Sequence, residues 1–321
     1  DVYYAVRTLH DYGKLSGRKL EDLKAGARVE PGENKLDPLD FALWKSSKPG
    51  EPTWESPWGK GRPAWHIECS AMNRKFLGET IDIHAGGRDL IFPHHENEIA
   101  QSEGANDKPF SKYWIHNGFL TLQAEKMSKS LGNTMKIKDV LSRFHPEALK
   151  LYFFSTHYRH PMDFSDQGLE ESTRALSRLY RVLYNLPPTG EKVDESFMKQ
   201  FEEVMNQDFN VPKAVGLFFE IARSANRLMQ KNETLDQALI LSNTLKQMSK
   251  VLGILSNEPA AFFKTVSQSK NIDGTFVEQM IAERHQARRD KNFDRADEIR
   301  QELEKQGVYL EDGPEGTSWR T

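Results

Sequence analysis

The stretch Thr80-Ile-Asp-Ile-His-Ala-Gly-Gly-Arg-Asp-Leu-Ile-Phe-Pro-His-His-Glu-Asn-Glu-Ile-Ala-Gln101 decides the fold. Thr80 to His84 reads as an extended segment, Ala85-Gly-Gly-Arg-Asp89 as a glycine turn, and a helix opens just after Pro93. Strand, glycine turn and helix in that order predict an α/β nucleotide-binding layer, with ligand at the strand's carboxyl end. Residues four apart lie on one helical face, so His94 and Glu98 can point at one spot. His95 also lies within a turn of Glu98 and is the alternative partner. Just upstream, Ala64 to Ile83 predicts a short helix around Cys69 before the strand. Cys69 is the only cysteine, so it cannot form an internal disulfide. A sulfur, a nitrogen and an oxygen arriving together make a three-ligand set suited to Zn²⁺. Taken separately, a lone cysteine is usually a small buried hydrophobe, and a His four before a Glu is usually a surface pair.

The 321 residues suffice for a sizeable core and more than one domain. Apolar residues make up 37% and charged residues 28%, a balance expected of a soluble, helix-rich protein. No apolar run approaches a membrane span, and no signal-peptide pattern opens the chain. A single cysteine fits a reducing, cytoplasmic setting. The net charge of −3 gives no global attraction to nucleic acid, although a local basic surface can act against an acidic average.

Along the chain, Asp1-Val-Tyr-Tyr-Ala-Val begins directly as a strand without an initiator Met, which suggests a fragment. Residues 18–50 are polar and loop-rich, with one strand-like run at Phe41-Ala-Leu-Trp44. Pro52 to Pro63, rich in Pro and Gly beside Trp54 and Trp58, reads as an irregular connector. Tyr113 to Leu122 predicts another strand, leading into a polar loop from Gln123 to Asn133. From about Lys138 the period changes to 3.6. Helices are expected around Val140 to Phe144 and Ala148 to Phe153, then over Leu169–Leu186, Ser196–Met205, Pro212–Gln230 and Thr234–Leu255. Stripes such as Leu217, Ile221 and Leu228 read as bundle core. Residues 256–275, rich in Ser, Asn and Lys, read as a linker. A charged helical hairpin, Phe276 to Gln306, a short strand Val308-Tyr-Leu310 and a Gly-Pro-Glu-Gly turn complete the chain.

The polar loop carries Lys126-Met-Ser-Lys-Ser-Leu-Gly-Asn133. Two ammonium groups on such a loop can meet phosphate oxygens as charge develops. Lys-Met-Ser-Lys-Ser is the signature loop of class I aminoacyl-tRNA synthetases. Gly61-Arg-Pro-Ala-Trp-His-Ile-Glu-Cys-Ser-Ala-Met72 and Phe92-Pro-His-His-Glu-Asn-Glu-Ile-Ala-Gln-Ser-Glu103 resemble the cysteinyl-tRNA synthetase family in particular. The motifs occur in that family's order, and the resemblance runs from residue 1 to Thr321.

The resemblance implies an α/β plus all-α fold. It comprises the second half of a Rossmann-type catalytic domain (1–125), a signature loop and stem-contact connector (126–167), a helical bundle (168–257) and a small anticodon-binding domain (270–321). It implies that Cys69, His94 and Glu98 bind zinc together with a cysteine from further upstream, and that the substrate thiolate joins them. A thiolate binds zinc far better than a hydroxyl, so such a centre separates cysteine from serine without editing. Trp65 and His84 are implied to wall the amino-acid pocket. Gly86, Gly87 and Asp89 are implied to approach the adenosine, although Ala85 stands where the family usually has glycine. Lys126 and Lys129 are implied to stabilise pyrophosphate, Lys129 binding ATP itself, with Mg²⁺ accompanying the nucleotide. Arg288, Asp297 and Asp312 are implied tRNA contacts, since arginine can pair with guanine and a carboxylate can accept from cytosine; Phe293 could stack on a base. The expected function is ligation of cysteine to tRNA(Cys) by a monomer with no membrane partner. The family's His-Ile-Gly-His-type motif lies upstream of these residues, so this chain alone is expected not to activate cysteine. Two rival readings are a cysteine ligase of low-molecular-weight thiol synthesis, which would not need residues 276–321, and a non-catalytic tRNA-binding fragment, which would not need the metal set or the lysine loop.

Overall fold

The computed structural model describes residues 1–20, 35–122, 125–126, 136–230, 234–269, 274–305, 308–313 and 316–320. It divides into two compact units, Asp1–Phe119 with Tyr158–Pro161, and Leu120–His157 with Met162–Thr321.

In the first unit, β1 (Val2–Tyr4), β2 (Phe41–Ser46) and β3 (Gly61–Pro63) form an antiparallel sheet, with Tyr3 opposite Ala42 and Trp44 opposite Pro63. Helix α1 (Trp65–Phe76) follows, then β4 (Ile81–Gly87), α2 (Glu96–Asn106) and β5 (Ser111–Asn117). Strands β4 and β5 are parallel, Ile83 pairing with Tyr113 and Gly87 with Asn117. A parallel pair needs a crossover rather than a hairpin, and α2 supplies it, so the expected βαβ layer is present.

Three local readings differ from the sequence expectation. Ala85, Gly86 and Gly87 do not turn but extend β4, because they keep pairing along β5 to Gly87. The helix after Pro93 is entered through a wide turn, Ile91–His95, broken at Phe92, whose φ of −138° and ψ of 130° are extended. The single strand expected from Tyr113 to Leu122 is split at Gly118. A Cβ on Gly118 would lie 2.1 Å from the His160 carbonyl oxygen, and its N–H donates to the Tyr158 carbonyl at 2.7 Å. That contact turns the chain out of the β5 ladder.

The first turns of α2 are buried on every side from Glu96 to Ser102 despite their polarity. Each side chain has a partner or a purpose there, as burial of polar groups demands. The Glu96 carboxylate accepts from the backbone N–H groups of Gly13 (3.0 Å) and Ser16 (2.9 Å), while Tyr12 Oη donates to Asn97 Oδ1 at 2.6 Å. Gln101 meets Ser70 of α1 at 2.7 Å. These bonds clamp loop 12–16 and α1 onto α2. Glu98 takes no part in these bonds and faces His84 and His94 instead.

In the second unit, β6 (Leu120–Leu122) lies between β7 (Glu125–Lys126), antiparallel, and β8 (Met162–Phe164), parallel. Helices α3 (Ile137–Leu141), α4 (Pro146–Phe154), α5 (Asp166–Asn185), α6 (Glu195–Met205), α7 (Val211–Met229) and α8 (Leu235–Leu252) match the expected periodic segments. Caps fix their ends: Ser165 accepts from the Gly168 N–H, Asp194 from Ser196 and Phe197, and left-handed Gly253 stops α8. The linker expected over 256–275 is instead largely helix α9 (Pro259–Ser269). Phe262 and Val266, one turn apart, enter the bundle core, and Phe262 stacks on Tyr180 at 3.9 Å. Phe263 packs against the same core, so a short apolar run in a mostly polar stretch suffices once an aromatic pocket receives it. Buried Glu147 ties this end down, accepting from Tyr180 Oη at 2.7 Å and from the N–H groups of Leu255 and Ser256, each at 2.9 Å.

The last segment builds its own small core. Helices α10 (Gly274–Arg289) and α11 (Phe293–Lys305) and the hairpin β9 (Tyr309–Gly313) and β10 (Gly316–Arg320) enclose Val277, Ile281, Ile299, Leu303, Val308 and Leu310.

Candidate metal centre

Helix α1 brings Cys69 toward α2 one turn after Trp65, while the Ile91–His95 turn presents His94 and α2, four residues on, presents Glu98. One donor atom from each of Cys69, His94 and Glu98 lies within 4.8 Å of the others. His94 Nε2 is 2.5 Å from Glu98 Oε1, and His84 Nε2, arriving from β4, is 2.9 Å from Oε2. Glu98 is fully buried, yet neither carboxylate oxygen receives a hydrogen bond of good geometry. Among the described residues no Lys or Arg pairs with it either. A buried carboxylate without donors or a counter-cation is costly. Sulfur, imidazole nitrogen and carboxylate oxygen at this spacing fit a tetrahedral divalent ion such as zinc.

The surroundings orient His94 for that role. Its Nδ1 lies 2.8 Å from Nδ1 of His66, and one proton must be shared between those facing nitrogens. Burial, with the neighbouring His94 and Lys45 next in effect, pushes His66 down to about 4, so its ring is neutral and can accept. With a cation on the Glu98 side, His94 would donate from Nδ1 to His66 and offer Nε2 to the metal, the arrangement by which an outer partner fixes a ligand's tautomer. Burial also lowers His94 itself, outweighing the opposite pull of Glu98. The Trp65 ring covers His94 at 4.3 Å between centroids while remaining 59% exposed, so it forms a wall open on one side. Burial, followed by the negative charge of Glu98, pushes the Cys69 thiol up to about 11. A bound cation reverses that preference and favours the thiolate.

His95, the alternative to His94, is engaged elsewhere. Its Nδ1 lies 2.8 Å from Nε2 of His116 on β5, and burial, then the adjacent histidines, hold it down to about 3. It does form a second close set with His84 and Glu98, within 4.8 Å. Gly86 has a packing reason of its own: a Cβ there would lie 2.7 Å from Cε1 of His95. A Cβ on Gly87 would meet Asp89 Oδ1 at 2.5 Å. His66, His116 and Trp114 are not singled out by the sequence reading. The available signal was crowding, since five of the ten histidines fall between His66 and His116.

In the second unit Lys126 ends β7, and Lys129 lies outside the described residues. In the terminal segment Arg288 and Asp312 meet at 3.1 Å, and Asp312 also accepts two 2.8 Å bonds from the nearly buried Arg284. Those bonds, led by Arg284 and then Thr317, hold the Asp312 carboxyl well below the usual range. Asp297 and Phe293 are exposed.

Family models extend this picture. Residues 1–174 match the model for tRNA synthetases class I (C) catalytic domain, 200–256 the DALR domain, and 276–320 the cysteinyl-tRNA ligase anticodon binding domain. Fold and site thus define a class I tRNA synthetase. Among relatives, a cysteine–tRNA ligase of Geobacter sulfurreducens is 49% identical over 340 residues, spanning all of this chain and 70% of its own length. One of Azotobacter vinelandii is 51% identical over 320 residues, spanning all of this chain and 69% of its own. The chain belongs to the cysteine–tRNA ligase family.

Proposed function

We propose that this chain supplies the cysteine-selecting and tRNA-binding parts of an enzyme that joins cysteine to tRNA(Cys) in an ATP-dependent reaction, activation also needing the family's upstream phosphate motif. The observation that carries this reading is the convergence of Cys69, His94 and Glu98 around a buried carboxylate with no donor of its own. Zinc held by these three side chains would supply a soft Lewis acid that prefers a thiolate to a hydroxyl. The protein's own residues do the rest. Cys69 supplies the sulfur, His94 offers Nε2 because His66 takes its other ring nitrogen, and His84 Nε2 lies 2.9 Å from the far oxygen of Glu98. Trp65 lines the open side of the pocket, where it excludes water from the amino acid. Gly86, Gly87 and Asp89 at the carboxyl end of β4 receive the adenosine, and Lys126 and Lys129 meet the phosphates that leave, with Mg²⁺ accompanying ATP. Arg288 and Asp297 in the terminal domain face tRNA. Asp312 acts there through Arg284 and Arg288, whose guanidinium groups it positions.

In domain terms, 1–125 would select and activate, 126–167 connect, 168–257 form the bundle and 270–321 read the anticodon. No helix among the described residues is long and apolar enough to cross a membrane; the single free cysteine suits a reducing, cytoplasmic setting, and the family resemblance suggests a monomer. A ligase with a small thiol acceptor would have no use for the terminal domain, whose separate core is built in full around Ile281 and Leu303.

Zinc analysis and cysteine-dependent ATP–pyrophosphate exchange test the proposal. One zinc per chain is expected, lost in Cys69→Ser and Glu98→Ala, together with exchange that cysteine supports and serine does not when the family's upstream phosphate motif is present in the protein assayed. A protein free of zinc after growth in its presence, or exchange driven equally by serine, would overturn it.

A further inference from the structure

A second charged surface lies on the bundle. Arg174, Arg178 and Arg181 follow one another at three- and four-residue spacing on α5 and so share one face. The Arg178 guanidinium sits 5.0 Å from the ring centroid of Phe219 on α7, and Arg181 sits 4.8 Å over Phe263 on α9. Tyr184 meets the same Phe263 ring edge-on at 6.2 Å. One and two turns beyond Phe219, α7 carries Arg223 and Arg227, both exposed. The five arginines therefore form one stripe across α5 and α7.

These cations are held differently from the acid-paired arginines, as is Arg18, which sits 4.7 Å over Phe92. Elsewhere Arg62, Arg143, Arg284, Arg295 and Arg300 each hold an Asp or Glu. In the stripe only Arg174 faces an acid, Glu170, at 3.8 Å. The other four have no ion-pair partner among the described residues, and two of them stack on aromatic rings instead. A stacked guanidinium keeps its edge N–H groups directed outward, a geometry suited to phosphate oxygens. In a chain of net charge −3, such a local reversal marks where a polyanion is received.

We propose that the Arg174–Arg178–Arg181 and Arg223–Arg227 stripe binds the sugar-phosphate backbone of the tRNA. It adds affinity without reading bases and rests on tRNA being the acceptor. Phosphate contacts position a nucleic acid and carry no sequence information. Each one lost lowers the slope of log K against log salt by about 1.

The test is fluorescence anisotropy of labelled tRNA(Cys) with the full protein over a salt series. R178Q/R223Q should bind about ten-fold more weakly and lose about 2 from the salt slope. R178K/R223K, which keeps the charges, should restore most of the slope and so separates charge from damage to packing. K199Q, which removes an α6 lysine facing Glu203 at 3.9 Å, should leave the slope unchanged. An R178Q/R223Q slope and affinity equal to the parent's would overturn the stripe as a tRNA surface and leave a protein partner as its occupant. A parent that binds no tRNA(Cys) would overturn the acceptor assignment and the stripe with it.

Discussion

Replacing Glu98 by Gln keeps the side chain's shape and removes one charge from a position with no exposed surface. Two accounts of that position predict opposite signs. If His94 and Glu98 form a buried ion pair that holds the fold, breaking it costs about 3–5 kcal/mol. In the metal-centre account the pair is not charge-compensated, because burial keeps His94 below the usual imidazole range and its ring neutral at pH 7. The metal-free protein then carries a buried carboxylate whose two oxygens lack donors. Removing that charge should stabilise it by about 1–3 kcal/mol, the scale of one unsatisfied buried polar group. Zinc at a hundred-fold excess over its Kd should stabilise the parent by about 2.7 kcal/mol and Glu98→Gln hardly at all. Urea unfolding followed by tryptophan fluorescence, with a chelator and then with zinc, reads both effects, since Trp65 and Trp114 stand beside the site. The ranking should invert: variant above parent without metal, parent above variant with it. A variant about 3 kcal/mol less stable than the parent in chelator would refute the reasoning.

Glu147 gives a pH dependence with a defined sign. Its burial alone would raise it, but the bonds from Ser256, Tyr180 and Leu255 outweigh that and lower it. A depressed carboxylate contributes stability above the ordinary glutamate range, at about pH 4 and higher, and loses it as pH falls through the folded value. Glu147→Gln should cost about 2–4 kcal/mol at pH 7, because its amide must face backbone donors, and should flatten the acid limb of an unfolding-against-pH series. An unchanged limb would contradict this. Phe262→Ala should cost about 3–5 kcal/mol by denaturant unfolding if α9 is part of the core, whereas a linker residue would cost almost nothing. Asp312→Asn should loosen the terminal domain by about 1–2 kcal/mol through the stranded Arg284. Faster amide exchange over 276–320 would report it, and unchanged exchange would count against a structural pair.

What the sequence made legible follows from the range of the forces involved. The i,i+4 face of His94 and Glu98, the short helix around Cys69 and the long amphipathic helices are local patterns, and they stand in the structure as read. The glycines of β4 were misread as a turn because ladder pairing to β5, a contact some thirty residues away, keeps them extended. The same kind of distant partner explains Gly118, set by the His160 carbonyl, and α9, whose pocket is lined by Tyr180. At the site, Gly86 is small because His95 lies against it, which no local pattern announces. His66 and His116 act by holding other histidines, so their role exists only once the two strands and two helices are assembled.

Cobalt substitution tests the central claim most directly, because cobalt reports thiolate ligands by absorbance where zinc is silent. The Co²⁺-loaded protein should show a thiolate-to-metal charge-transfer band that vanishes in Cys69→Ser. Added cysteine should intensify that band by a second sulfur, and serine should leave it alone. A spectrum without any sulfur band, or one that cysteine and serine alter alike, would contradict the account.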